Sequence, residues 1–231
     1  MRAYNIYLGK FLDWFLATKL WAKIGMFCAK TTTRFQDYVS FPIDDYFKIV
    51  DMIDPSNYYI FLTTDTKTLS ATLIKTLVST TGKKGLFSHG GLILFDGYKN
   101  TKAMHVDHNG FQYQSLLSHL KEVDYLAVIK IPVKDENKEK VNNRIENLKE
   151  RAKYIQYDWA EKLDNGENKI YCTEELYMIF KDLVDNPKFQ PRQIANRLVF
   201  DPDSLLEMDL EIIYCNHPDF SPGYTATNIS Q

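Results

Sequence analysis

Four short β-patterned runs follow one another between His89 and Ile131, and that crowding limits the fold more than any other feature of the chain. The spacing predicts strands over 89–95, 102–106, 111–114 and 125–131, separated by the turn signals Asp96-Gly97, Asn109-Gly110 and Lys121-Glu122. Connections this short suit antiparallel neighbours, so an antiparallel meander is expected.

Helical patterns flank the meander. Residues 43–52 read as a short helix stopped near Asp54-Pro55, and 58–62 as a further strand. A helix is expected at 67–78 behind the cap-like Thr63-Thr64-Asp65, and the Gly/Lys loop 80–85 leads to His89. Residues 135–153 form a charged surface helix, Tyr157-Asp158 a loop or short helix, and 172–184 a helix with Leu176, Ile179, Phe180 and Leu183 inward. A short helix with Pro191 near its start is expected over 191–196, and a last strand over 210–215. The expected fold class is α+β, an antiparallel sheet flanked by helices. The expected division is a helical extension over 1–54, a main domain over 55–216 and a tail over 217–231.

Composition excludes some functions. A net charge of −2 gives no general attraction to nucleic acid or anionic lipid, and 45% hydrophobic residues is ordinary for a globular chain. The three cysteines, Cys28, Cys172 and Cys215, have no CxxC spacing, which points to a reducing, cytoplasm-like compartment and away from a structural zinc site. Residues 7–27 are apolar and aromatic, but Lys10, Asp13, Lys19 and Lys23 interrupt them, which argues against a membrane span or signal-peptide core. Phe11, Trp14, Phe15, Leu20, Trp21 and Ile24 recur at helical spacing. They predict an amphipathic helix that docks on the domain or serves a membrane-surface or dimer contact.

The chemistry points to Cys172 and His89. Cys172 opens a predicted helix, where the macrodipole and free N–H groups favour thiolate. His89 heads an apolar strand, and an imidazole brought beside that thiol would make it nucleophilic at neutral pH. The other reading of Cys172 is a small buried hydrophobe, and of His89 a satisfied strand-end histidine.

Five fragments occur in a telling order: Ser88-His89-Gly90-Gly91, Met104-His105-Val106, Tyr157-Asp158, Tyr171-Cys172-Thr173-Glu174-Glu175-Leu176 and Pro191-Arg192-Gln193-Ile194. Over roughly residues 58–215 this order resembles the circularly permuted branch of the NlpC-type papain-like fold, the YiiX-like cysteine peptidases and amidases. The resemblance implies Cys172 as nucleophile, His89 as general base, and a polar residue on the next strand to orient the imidazole. His105 takes that place, with Asp107 second. Tyr157 would help stabilise the oxyanion alongside the Cys172 N–H. Thr173 stands where serine is common in the family, and Glu174 and Glu175 are expected to complement the helix dipole.

The expected activity is that of a cysteine hydrolase acting on a peptide-like or acyl-amide substrate through a thioacyl-enzyme, with no metal or organic cofactor. An acyltransferase or thioesterase-like lipid-modifying enzyme and a non-catalytic binding or structural protein with the same fold are the alternatives. His105-x-x-His108 with Asp107 is a poor metal set on a strand, Lys83-Lys84 lacks a full phosphate loop, and Asp201-x-Asp203 lacks the other calcium ligands.

Overall fold

The computed structural model describes residues 23–24, 41–64, 86–96, 100–121, 123–158, 163, 166, 168–186, 188–194 and 197–220. The expected 67–78 helix, the 80–85 loop, Cys28 and all but Lys23 and Ile24 of the 7–27 helix lie outside the described residues.

The strand-patterned runs form one six-stranded sheet. Strands β1 (Tyr58–Thr64), β2 (His89–Phe95), β3 (Thr101–Asp107) and β4 (Gly110–Ser115) lie side by side in chain order. Strand β5 (Tyr125–Ile131) returns to the far side of β1, with β10 (Glu211–Cys215) beyond it as the edge. Every neighbouring pair is antiparallel. Gly110, at φ 93°, takes the left-handed turn conformation between β3 and β4.

Each strand feeds both faces of the sheet, because successive side chains alternate. On one face Ile60, Leu62, Leu92, Met104 and Ile129 pack against α3 (Asp135–Arg151) and α4 (Cys172–Phe180). The contributions from these helices are Val141, Ile145, Leu148, Leu176, Ile179 and Phe180. On the other face Tyr59, Phe61, Ile93, Ala103 and Val128 meet α1 (Ile43–Met52) and α2 (Leu116–Leu120) through Ile49, Leu116 and Leu120. The α1 segment is further tied to the sheet side by Tyr46 Oη and Thr101 Oγ1 at 3.0 Å and by Tyr214 Oη donating to Asp45 at 2.8 Å. Among the described residues no helix is long and apolar enough to cross a membrane.

Three local expectations are corrected. The expected helix over 191–196 gives way to a strand: β8 (Arg192–Ile194) pairs antiparallel with β9 (Arg197–Val199). Proline's fixed φ suits entry to an edge strand as well as a first helical turn, so Pro191 does not discriminate between them. Tyr157 lies in a strand, β6 (Gln156–Tyr157), parallel to β7 (Lys169–Ile170). Helix α4 stops at Phe180, four residues early, where Asp182 at φ 64° turns the chain left-handed. Beyond it Val184 bridges to Val133.

Helix α5 (Pro202–Leu206) is an addition to the expected elements, although Asp201-Pro202 is a strong start signal. The Asp201 carboxylate caps this helix by accepting the Ser204 N–H at 3.0 Å. Asp203 accepts the N–H groups of Leu86 and Phe87, both at 3.1 Å, and so fixes the chain just before His89.

Gly91 is where the sheet tolerates no side chain. A Cβ there would come within 2.4 Å of Phe61 Cζ, 2.6 Å of the Met104 carbonyl oxygen and 2.7 Å of His105 Cβ. One of these is backbone and cannot swing aside. Gly91→Ala should therefore destabilise the fold by about 3 kcal/mol, at the upper end of ordinary overpacking, as urea unfolding would measure. An unchanged midpoint would mean that β2 and β3 separate freely here.

Candidate functional site: a histidine cluster beside the Cys172 helix

His89 and His105 come together across the gap that Gly91 leaves. In the β2–β3 register Leu92 pairs with Met104, so one step on Gly91 faces His105 and the two imidazoles lie on a diagonal. His89 Nε2 and His105 Nδ1 are 2.9 Å apart, a hydrogen bond with the rings nearly perpendicular at 85°. Asp107 does not join them; its Oδ1 accepts the Asn109 N–H at 2.7 Å in the turn after β3.

Two further residues complete this cluster, and neither is among the candidates that the sequence marks. Gln114 on β4 places its amide nitrogen 3.4 Å from His105 Nε2. His119 on α2 lies tilted against His105, with ring centroids 4.5 Å apart and planes at 47°, and its buried Nε2 has no hydrogen-bond partner. One ligand nitrogen from each of His89, His105 and His119 lies within 4.8 Å of the others. His119 sits in an ordinary leucine-rich run, Leu116-Leu117-Ser118-His119-Leu120, which carries no chemical signature.

Crowding sets the charge state of the cluster. Burial, then the nearby His119 and His108, pushes the His89 imidazole down to about 3. Burial alone pushes His119 down to about 4. His105, 2% exposed, is driven down further by burial and by its two histidine neighbours. At neutral pH all three rings are uncharged. His89 alone of the three is partly exposed, so it is the approach from solvent.

Cys172 is in no disulfide, is 4% exposed, and is the first residue of α4. The helix start is well built. Glu174 accepts the Tyr171 N–H at 3.3 Å, as its expected place at a helix start allows. Tyr171 Oη accepts the Phe200 N–H at 2.8 Å, and Thr173 Oγ1 donates to the Phe200 carbonyl. Tyr157 pairs with Ile170, two residues before Cys172, and packs against the α3/α4 core. Glu175 departs from its expected capping role. It is 0% exposed, and neither carboxylate oxygen has a hydrogen-bond partner, so burial pushes its carboxyl up to about 8.

The two halves meet at the first residues of β2. The imidazoles of His89, His105 and His119 surround Phe61 on the α1/α2 face, while the inner side of α4 belongs to the opposite face. Thr173 Cγ2 would lie 3.2 Å from a Cβ on Gly90, so the residue after Cys172 rests on the residue after His89. No family model, curated protein or solved structure matches the chain. The site's meaning therefore rests on its own chemistry.

Proposed function

We propose that the chain is a cysteine hydrolase of the permuted papain-like type, cleaving an amide or ester bond through a thioacyl-enzyme on Cys172. The observation that carries this reading is the 2.9 Å hydrogen bond between His89 Nε2 and His105 Nδ1. It commits one nitrogen of His89 to an orienting partner and leaves Nδ1 for the reaction, the division of labour that a positioned general base needs. Contact of Thr173 with Gly90 supports the pairing of Cys172 with His89. In this reading His89 Nδ1 is the nitrogen that takes the proton of the Cys172 thiol.

Proton bookkeeping gives Gln114 a part. If its amide oxygen accepts His105 Nε2–H, then His105 Nδ1 accepts His89 Nε2–H, and His89 Nδ1 carries the lone pair of a base. A half-turn of the amide reverses the chain and puts the proton on Nδ1. Because burial keeps His89 neutral at rest, it takes the thiol proton as attack begins. The proton then passes to the leaving amine or alkoxide, and water releases the acyl group from sulfur. The Cys172 N–H and Tyr157 are the oxyanion donors in this scheme.

Iodoacetamide alkylation followed by mass spectrometry tests the reading. Cys215 is the internal control, since burial pushes its thiol up. Cys172 should label at least ~10-fold faster than Cys215 near neutral pH, and His89→Ala or His89→Gln should remove that advantage, in keeping with the 10²–10⁴-fold reach of a general base. Labelling of Cys172 at the rate of Cys215, or unaffected by the His89 substitutions, would leave a non-catalytic protein as the better reading.

A further inference from the structure

We propose that His89, His105 and His119 form a binding site for a divalent cation of the zinc class. Three histidines from three elements, β2, β3 and α2, converge on one point with a nitrogen each within 4.8 Å of the others. Three imidazoles on one side of an ion, with a fourth position left for water, are a recurrent zinc arrangement. Neutral nitrogen donors suit zinc far better than magnesium or calcium, which prefer oxygen.

The distances lie on either side of what this assignment needs. Zinc–nitrogen bonds of ~2.0–2.1 Å in tetrahedral geometry require ligand nitrogens about 3.3 Å apart. The 2.9 Å between His89 Nε2 and His105 Nδ1 is a little short of that, and the 4.8 Å limit for the set is somewhat beyond it. Binding therefore draws the His119 ring in toward the other two. His119 supplies the independent sign of a missing ligand: it is 5% exposed, and its Nε2 meets no hydrogen-bond partner. A buried nitrogen in that position costs free energy unless something binds it. Gln114 offers the outer support that metal-bound histidines usually have, since its amide oxygen can accept the N–H that His105 then carries on Nε2. His89, being partly exposed, gives the ion a way in.

The cation and the general base exclude one another. An ion on His89 Nε2 and His105 Nδ1 takes both lone pairs and moves the His89 proton to Nδ1, the nitrogen that the hydrolase reading needs bare. Resting on that reading, the cation is an inhibitor of the thiol chemistry rather than a participant in it.

Calorimetric titration of the metal-free full chain with Zn²⁺, beside His119→Gln and Cys172→Ala, tests the site. One ion per chain should bind the wild-type protein and Cys172→Ala alike. His119→Gln should lose about 100-fold or more in affinity, because outer partners alone are worth 10–100-fold. X-ray absorption on the wild-type complex keeps the test independent of how the variant folds. Three nitrogens at ~2.0–2.1 Å and no sulfur near 2.3 Å support the site, whereas a sulfur shell overturns it. Absence of saturable binding, or equal affinity in His119→Gln, also overturns it. Alkylation of Cys172 and binding of Zn²⁺ fail separately, so loss of one proposal leaves the other readable.

Discussion

Acidification from pH 6.5 to 4 should destabilise this protein steeply, with the histidine cluster responsible for most of the loss. His89, His105 and His119 are all held below their ordinary value of 6.5 by burial, and His89 and His105 also by neighbouring histidines. Groups depressed in the folded state contribute stability that is present above the unfolded value and is lost as pH falls toward the folded one. Between pH 6.5 and about 4, the unfolded chain binds three protons that the folded chain refuses. Each such proton is worth about 1.4 kcal/mol per pH unit, so the cluster sets a slope near 4 kcal/mol per unit. Whole domains hold only ~5–15 kcal/mol, so a loss of this size, even less the ~1.4 kcal/mol per unit that protonation of Glu175 returns above pH 4.5, removes a large part of the stability by pH 4. Urea midpoints at closely spaced pH values measure it. His119→Leu, which removes one of the three groups and an unpartnered nitrogen, should lower the slope by about a third. A flat profile between pH 6.5 and 5 would mean that water reaches these rings freely.

The arrangement behind that prediction is only partly legible in the sequence. Most of the sheet is legible, because its strands are short β-rich runs set off by the turn signals Asp96-Gly97 and Asn109-Gly110. But 125–131 leaves the expected meander and pairs with β1 rather than β4, a choice made by packing across the sheet and not by the local turn. His89 at the head of β2 and His105 on β3 follow from the same pattern, since one register fixes both. His119 and Gln114 do not. Each is a polar residue whose role arises only when α2 folds back over the sheet, and nothing local marks that return. The β8–β9 pair escapes for a different reason. Pro191 fits two backbone states equally, and the choice is made by pairing with residues that follow it, as Arg192 does with Val199.

The opposing faces of His89 and α4 also lie beyond what linear spacing can say. Spacing along the chain says that a cysteine begins a helix and a histidine begins a strand. It does not say on which side of that strand the helix lies. The glycine pair Gly90-Gly91 resolves the packing in both directions: Gly90 receives Thr173 on one face, and Gly91 receives Phe61 and His105 on the other. The thinnest part of the sheet is thus the part where the start of the cysteine helix meets the strand that carries His89. A bulky residue at either position would push apart the groups on which both proposals depend.

Raising the pH should weaken the fold from the opposite side, through Glu175. Its carboxyl is lifted from 4.5 to about 8 by burial without a hydrogen-bond partner. For a group raised in the folded state, the stabilising contribution is whole below the unfolded value and disappears as pH climbs through the folded one. From pH 4.5 to 8 the loss accumulates to about 5 kcal/mol at ~1.4 kcal/mol per unit, from this one side chain. Combined with the acid limb, this places maximum stability close to pH 6.5. Glu175→Gln keeps the shape and removes the proton equilibrium, so its unfolding free energy should be level across that range and exceed that of wild type at pH 8. Equal slopes in the two proteins would show that Glu175 ionises in place. The residue also bears on the thiol. Positions three apart on a helix are neighbours, so Glu175 lies one turn from Cys172. While protonated it adds no negative charge beside the sulfur, and the helix start can favour thiolate unopposed. Once ionised it repels the thiolate, so alkylation of Cys172 should rise less steeply above pH 8 in wild type than in Glu175→Gln.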